Sequence, residues 1–378
     1  MILETIVDFL EPINLHEISN DQEYKETVLG NHILVFEEEL PDITDVDMVL
    51  VGCNECRGMG MDIKNNNTAN AIRTEFYSLF HWHKDVKIAD FGNIKMGATL
   101  QDTYAALKTV VNELIAKNKK VIILGAGHDL TIAQYGAYTL SEKIIEAAVV
   151  DAKIDLNMDS SLPADNFLME MLCSIPNYVQ HYNHIGFQSY FVHPTMLETI
   201  DKLRFDCYRV GKVKENIEDM EPVIRNANML SFDISAIQHA YACSNKLSPN
   251  GFTGEEACNL MQYAGLSNNI SSIGIYGYLS NDDSNNLTAK QISHMLWYIM
   301  DGIYKSKHEA ALHNQKDFNE YLIAFTDTTT SFLQSKRTGR WWMQLPDGKY
   351  IACSQADYIV AASNEIPERW MRAVERDK

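Results

Sequence analysis

Three apolar runs in this chain stop abruptly at clusters of small, acidic or imidazole residues. Val121–Ile-Ile-Leu124 ends in Gly125–Ala-Gly-His-Asp129, Ala147–Ala-Val-Val150 in Asp151–Ala-Lys-Ile-Asp155, and Met229–Leu-Ser-Phe232 in Asp233–Ile-Ser235. An unbroken apolar run is what a strand buried on both faces requires, and such strands belong to parallel sheets covered by helices. Polar groups at their C-terminal ends are delivered to one edge of the sheet, where open α/β folds bind ligands. His128, Asp151, Asp155 and Asp233 are therefore candidate ligands of a divalent cation. Oxygen-rich donors with one imidazole suit Mn²⁺ or a similarly hard ion. Residues two apart share a side of an extended chain, so Asp151, Lys153 and Asp155 can converge. From these residues alone, a metal site and a buried Asp–Lys network are both open.

The rest of the chain supports such a sheet. Asp47–Met-Val-Leu-Val-Gly52 is a first core strand, ending in Cys53–Asn-Glu-Cys56, which reads as a loop with ordinary thiols. Asn66–Arg73 leads into a helix over Thr74–Phe80 with Arg73 near its start, and His81–Trp-His83 reads as a solvated loop. From Asp102 to Ile115 apolar residues recur at helical spacing, and strand 121–124 follows. Helix 131–140, strand 147–150, strand 183–187, helix 194–203, strand 207–210, helix 217–225 and strand 229–232 continue the alternation. Helix 254–263, strand 272–276 and helix 288–304 complete it. Such alternation predicts a mostly parallel sheet covered on both faces. Residues 1–45 are weakly patterned and are expected to pack on this domain, 46–305, as an N-terminal extension. After Ser306 the chain turns to short aromatic runs separated by turn residues, among them Arg340–Trp-Trp-Met343 and Lys349–Tyr-Ile-Ala352. These predict a small antiparallel β appendage over 306–378, with Trp341 and Trp342 as packing residues.

Composition removes several function classes. A formal net charge of −19 with no Lys/Arg block disfavours nucleic acid and anionic membranes as partners. No apolar stretch approaches the ~20 residues of a membrane span. Glu4 and Asp8 in the first ten residues argue against a secretory signal, and the seven scattered cysteines suggest reduced thiols, so the expected location is cytoplasmic.

Gly125–Ala-Gly-His-Asp129, Asp151–Ala-Lys-Ile-Asp155 and Ser231–Phe-Asp-Ile-Ser235 resemble, in order, the three signatures of the ureohydrolase superfamily. That superfamily comprises arginase, agmatinase, formimidoylglutamase and proclavaminate amidinohydrolase. Gly251–Phe-Thr-Gly-Glu-Glu-Ala257 is similar to a fourth family segment, and the resemblance covers roughly residues 45–305. It implies a three-layer α/β/α sandwich around an eight-stranded parallel sheet. It also implies metal-assisted hydrolysis of a C–N bond in a small guanidino or formimino substrate, with formimidoylglutamase the nearest specific reading, and a homo-oligomer. The family holds two Mn²⁺ ions that activate a shared water. Its ligands to the first ion match His128, Asp151, Asp155 and Asp233.

The two residues belonging only to the second ion are replaced by Lys153 and Ser235. The expectation is thus one Mn²⁺ at most, or none, with Lys153 as charge substitute for the second ion. In the metal-free alternative Lys153 pairs with two aspartates and a further carboxyl is protonated. Asp155 and Lys153 are then the candidate catalytic groups. Asn157 matches a position that contacts the substrate's α-carboxylate in arginases. Gly277 falls where arginase-like members place a Glu toward the substrate's cationic end, and Leu168 falls where arginases place a His. These departures keep a second reading open, that of a non-catalytic, metal-free relative with a ligand-sensing or assembly role.

Overall fold

The computed structural model describes residues 5–18, 25–61, 66–325 and 328–376. Its strands are β1 (Leu10–Glu11), β2 (Leu34–Val35), β3 (Met48–Cys53), β4 (Ile88–Ile94), β5 (Lys120–Gly125), β6 (Ile145–Val150), β7 (Val179–Phe187), β8 (Asp206–Arg209), β9 (Met229–Asp233) and β10 (Ser272–Tyr276), followed by β11 (Phe318–Phe325), β12 (Thr328–Ser335), β13 (Trp341–Gln344) and β14 (Tyr350–Cys353). The first ten form one sheet in the order β1–β4–β3–β5–β10–β9–β6–β7–β8, with β2 also on β4. From β4 to β8 all eight strands are parallel. This is the expected eight-stranded sheet, and β1 and β2 from the N-terminal segment extend its edge, β1 antiparallel.

The helices are α1 (Leu15–Ile18), α2 (Thr68–Tyr77), α3 (Leu100–Ala116), α4 (Leu130–Leu140), α5 (Pro163–Cys173), α6 (Pro194–Lys202), α7 (Val210–Glu215), α8 (Met220–Asn226), α9 (Gly254–Leu266), α10 (Leu287–Lys307), α11 (Gln355–Ala362) and α12 (Glu368–Arg376). Alternate residues of each strand feed opposite layers. Ile122 and Leu124 of β5 pack with α2, α9 and α10, while Val121 and Ile123 pack with α3 and α4. β6 divides in the same way, with Ala148 and Val150 on one face and Ala147 and Val149 on the other, against α5. Both faces are dry, which explains why these strands read as continuous apolar runs rather than alternating ones. Capping boxes start α3 at Thr99 and α9 at Thr253, the latter inside the Gly251–Ala257 segment.

Several elements lie outside the expected pattern: β4, β12, α5, α7, α11 and α12. The helix expected over 217–225 is a 3₁₀ turn, Ile217–Asp219, leading into α8. α10 runs to Lys307, so the expected boundary at 305 falls inside its last turn. β11 to β14 form the predicted antiparallel sheet, in sequential order. Trp341 and Trp342 are buried in it as packing residues, and α11 packs on β11 while α8 meets β14. Among the described residues no helix is long and apolar enough to cross a membrane.

Candidate metal centre

β5, β10, β9 and β6 are consecutive in the sheet, and their C-terminal ends carry His128, Gly277, Asp233 and Asp151 respectively. Strand order thus assembles the cluster. Nδ1 of His128 lies 3.0 Å from Asp155 Oδ2, 3.2 Å from Asp151 Oδ2 and 3.5 Å from Asp233 Oδ2. All four residues are buried. Donor atoms of His128, Asp151 and Asp155 fall within 4.8 Å of one another, with Asp233 beside them.

These separations fit a shared cation. Donors bound at ~2.1–2.2 Å, at angles between octahedral and tetrahedral, lie ~3.0–3.5 Å apart. A single imidazole N–H can serve one acceptor well, yet three carboxylates converge on this nitrogen. The other ring nitrogen has a polar partner of its own. Nε2 is 3.0 Å from Ser231 Oγ, which is 2.7 Å from Thr131 Oγ1. An Nε2–H donating to Ser231, with Ser231 donating to Thr131, would leave the Nδ1 lone pair for a cation, as a ligating histidine requires. Phe167 and Tyr276 wall the ring at centroid distances of 4.7 and 5.9 Å. Ser231 was part of a recognised motif, but its role is visible only across two strands.

The electrostatics point the same way. Burial and the Asp151 charge push the Asp155 carboxyl up to about 8. Burial also raises Asp233. Burial opposes the His128 imidazolium, but the charges and hydrogen bonds of Asp233, Asp151 and Asp155 outweigh it and hold it well above its ordinary range. Burial likewise opposes the Asp151 anion, and contacts from His128 and Ser235 hold that carboxyl below the usual range all the same. Crowding thus favours protons on Asp155, Asp233 and His128, which a bound cation would displace.

The half of the site that departs from the family is arranged differently from expectation. The chain bends at Ala152 and Lys153, so Lys153 does not converge with Asp151 and Asp155. Its side chain is 41 % exposed, and Nζ stands 3.9 Å from Asp165 Oδ1. Ser235 is the residue between the aspartates. Its amide donates to Asp233 Oδ1 at 2.7 Å, and its hydroxyl donates to Asp151 Oδ1. Asp151 and Asp233 are therefore tied together by hydrogen bonds rather than by an ammonium.

Gly277 has φ +79°, and a Cβ there would lie 2.6–2.8 Å from the Asp233 carboxylate atoms. No side chain fits that position while Asp233 keeps its place. Asn157 is half-buried, its side-chain oxygen accepting from the Asp159 amide at 3.1 Å. Leu168 is fully buried in the core. His184, on β7, was not anticipated. Tyr182 Oη donates to its Nδ1 at 2.9 Å, and its Nε2–H faces the Asp151 carbonyl at 3.2 Å. Burial drives this imidazole down to about 4, so it is neutral.

Two motifs lie elsewhere. Cys53 and Cys56 are buried and not joined in a disulfide. His83 is not solvated: it faces Asp301 at 3.1 Å and stacks on Tyr304.

Known proteins place this geometry. The sequence pattern of the arginase family matches residues 60–301. A formimidoylglutamase of Hahella chejuensis is 25 % identical over 131 residues, a match spanning 32 % of this chain and 40 % of that relative. Among solved structures, formimidoylglutamase from Bacillus subtilis superposes with a TM-score of 0.64 at 15 % identity, covering 76 % of this chain and 95 % of that one. Trypanosoma cruzi formiminoglutamase with Mn²⁺ gives 0.62 at 14 % identity, covering 70 % and 95 %. Bacillus subtilis arginase gives 0.56 at 17 %, covering 67 % and 98 %. The family pattern spans all four strand ends that build the cluster, and on that match the chain belongs to the arginase family.

Proposed function

We propose that this chain holds a single divalent cation, Mn²⁺ by the hardness of its donors, between His128, Asp151, Asp155 and Asp233. We infer that it hydrolyses a C–N bond in a formimino or guanidino substrate, in the manner of a formimidoylglutamase. The observation carrying this reading is the convergence of three carboxylates on one ring nitrogen of His128. When bound, such an ion supplies Lewis-acid polarisation and lowers the pKa of a coordinated water. The chain's own residues hold the ligands in register. Ser231 is placed to accept from Nε2–H of His128, and Ser235 bridges Asp151 and Asp233. Asp155 is the carboxylate most in need of a positive partner. Lys153 and Asn157 flank it in sequence and are partly exposed, the polar groups we assign to meeting a substrate carboxylate.

A second reading has its own observation. Ser235 already satisfies one oxygen of each aspartate, and Lys153 faces Asp165. A chain so arranged serves equally as a metal-free, non-catalytic relative that senses a ligand or assembles with a partner. Metal content after dialysis against excess Mn²⁺, measured with release of formamide, urea or ammonia, separates the two. One ion per chain with product release supports hydrolysis. A folded, metal-free chain with turnover at the blank supports the second reading, and two ions per chain would overturn both.

A further inference from the structure

A cavity of about 680 Å³ lies where the outer strands of the parallel sheet, β7 and β8, meet α11 and α12 of the C-terminal segment. That volume lies in the range of small-molecule sites, ~300–1,000 Å³, and seams between structural units are where such sites concentrate. Phe187, Ile200, Val223 and Val360 give it apolar walls. One feature distinguishes it from a packing defect. Asn183, on β7, lines the cavity and is 4 % exposed. Among the described residues its carboxamide has no hydrogen-bond partner, and a buried polar group is ordinarily paired.

Charge narrows the occupant. Six carboxylates and three cationic side chains line the cavity. Each cation is engaged: Arg369 with Asp357 at 3.2 Å, Arg372 with Asp206 and with Glu368, and Lys212 with Glu215 at 3.2 Å. His181 pairs with Asp206 as well, Lys212 sits at the exposed rim, and the carboxylates outnumber the cations, so the lining disfavours an anion. The Asn183 carboxamide offers a donor and an acceptor in one plane, and its complement is a group of the same kind. We propose that this cavity binds a neutral small molecule carrying a primary carboxamide or lactam on an apolar body, with Asn183 as its polar anchor. The site is separate from the metal centre. Successive strand residues face opposite sides, so Asn183 points away from the face on which His184 meets Asp151.

Benzamide is a suitable probe, with benzoate as its anionic counterpart, each titrated calorimetrically into the full chain. The expected result is saturable benzamide binding, with benzoate weaker by about tenfold or more. Asn183→Leu, which removes the anchor, and Val360→Trp, which fills the cavity from α11, should each weaken benzamide by a similar factor while circular dichroism stays native. Because Val360 lies on the C-terminal segment, its variant also excludes binding at the metal centre and serves if Asn183→Leu fails to fold. Equal affinity for benzoate, unchanged binding in the folded variants, or no saturable binding up to the solubility of benzamide would overturn the proposal.

Discussion

Ser231 contributes nothing to a count of metal ligands, yet it is the partner that can keep the His128 proton on Nε2, away from the carboxylates. Removing its hydroxyl frees the imidazole to carry its proton on Nδ1, among the carboxylates. Ser231→Ala is therefore expected to weaken Mn²⁺ binding by ~10–100-fold, as loss of such an outer partner does elsewhere, with the fold intact. Calorimetric metal titration checks it, and an unchanged affinity removes Ser231 from the site. Gly277 makes the opposite point, since its value lies in having no side chain. Gly277→Ala would press a methyl group into the Asp233 carboxylate, and the expected outcome is a loss of metal affinity of about tenfold or more. The same sterics mean that restoring the family's Glu at this position would disrupt the site rather than repair it. The four clustered residues were legible because each lies at or just past the end of an apolar run. The sense of Lys153 and Gly277 was not. A bend at residues 152–153 and the close approach of Asp233 to a backbone are matters of chain path, which residue spacing does not carry.

At the scale of elements, strands buried on both faces announced themselves and β4 did not. Its sequence, Ile88–Ala-Asp-Phe-Gly-Asn-Ile94, is broken by Asp90 and Gly92, residues that disfavour a core strand. The structure resolves the conflict with a partner 17 residues upstream on α2. Arg73 meets Asp90 through Nε and Nη2 at 2.8 and 2.9 Å, both side chains are fully buried, and Tyr77 donates to the same carboxylate. Gly92 takes φ +74° against the Glu11 carbonyl of β1. Neither pairing is local, so neither could be read from a window of sequence. Arg73→Met would strand the Asp90 charge in the core, and breaking a buried pair from one side costs ~3–5 kcal/mol. Urea denaturation of the variant checks this. A destabilisation below about 1 kcal/mol would mean that Asp90 finds another partner or is protonated at little cost.

The whole molecule is held together at its C-terminal end by charge inside an aromatic seam. Arg225 of α8 lies 4.3 Å over the Trp342 ring, donates to the Trp341 carbonyl at 2.8 Å, and pairs with Glu221. Arg340 of the small sheet reaches back to Glu309, just past α10, and to the Leu266 carbonyl at the end of α9. Glu309 is the hub, accepting from Ser335, Thr338, the Ala310 amide and Arg340. Burial would raise its carboxyl, but these hydrogen bonds and the Arg340 charge hold it below the ordinary range. The sign of the pH dependence follows. Above ~4.3 the carboxyl is ionised whether the seam is formed or open, and its contribution is complete. Below that value the open form takes up the proton first, and the stabilisation fades until the depressed folded value is passed. Acid should therefore loosen the C-terminal sheet, seen as loss of near-ultraviolet circular dichroism from the buried Trp341 and Trp342. Glu309→Gln should lose part of that stability already at neutral pH and respond less steeply to acid. If parent and variant share the same acid limb, the seam is held by its arginine–tryptophan packing and not by the Glu309 charge.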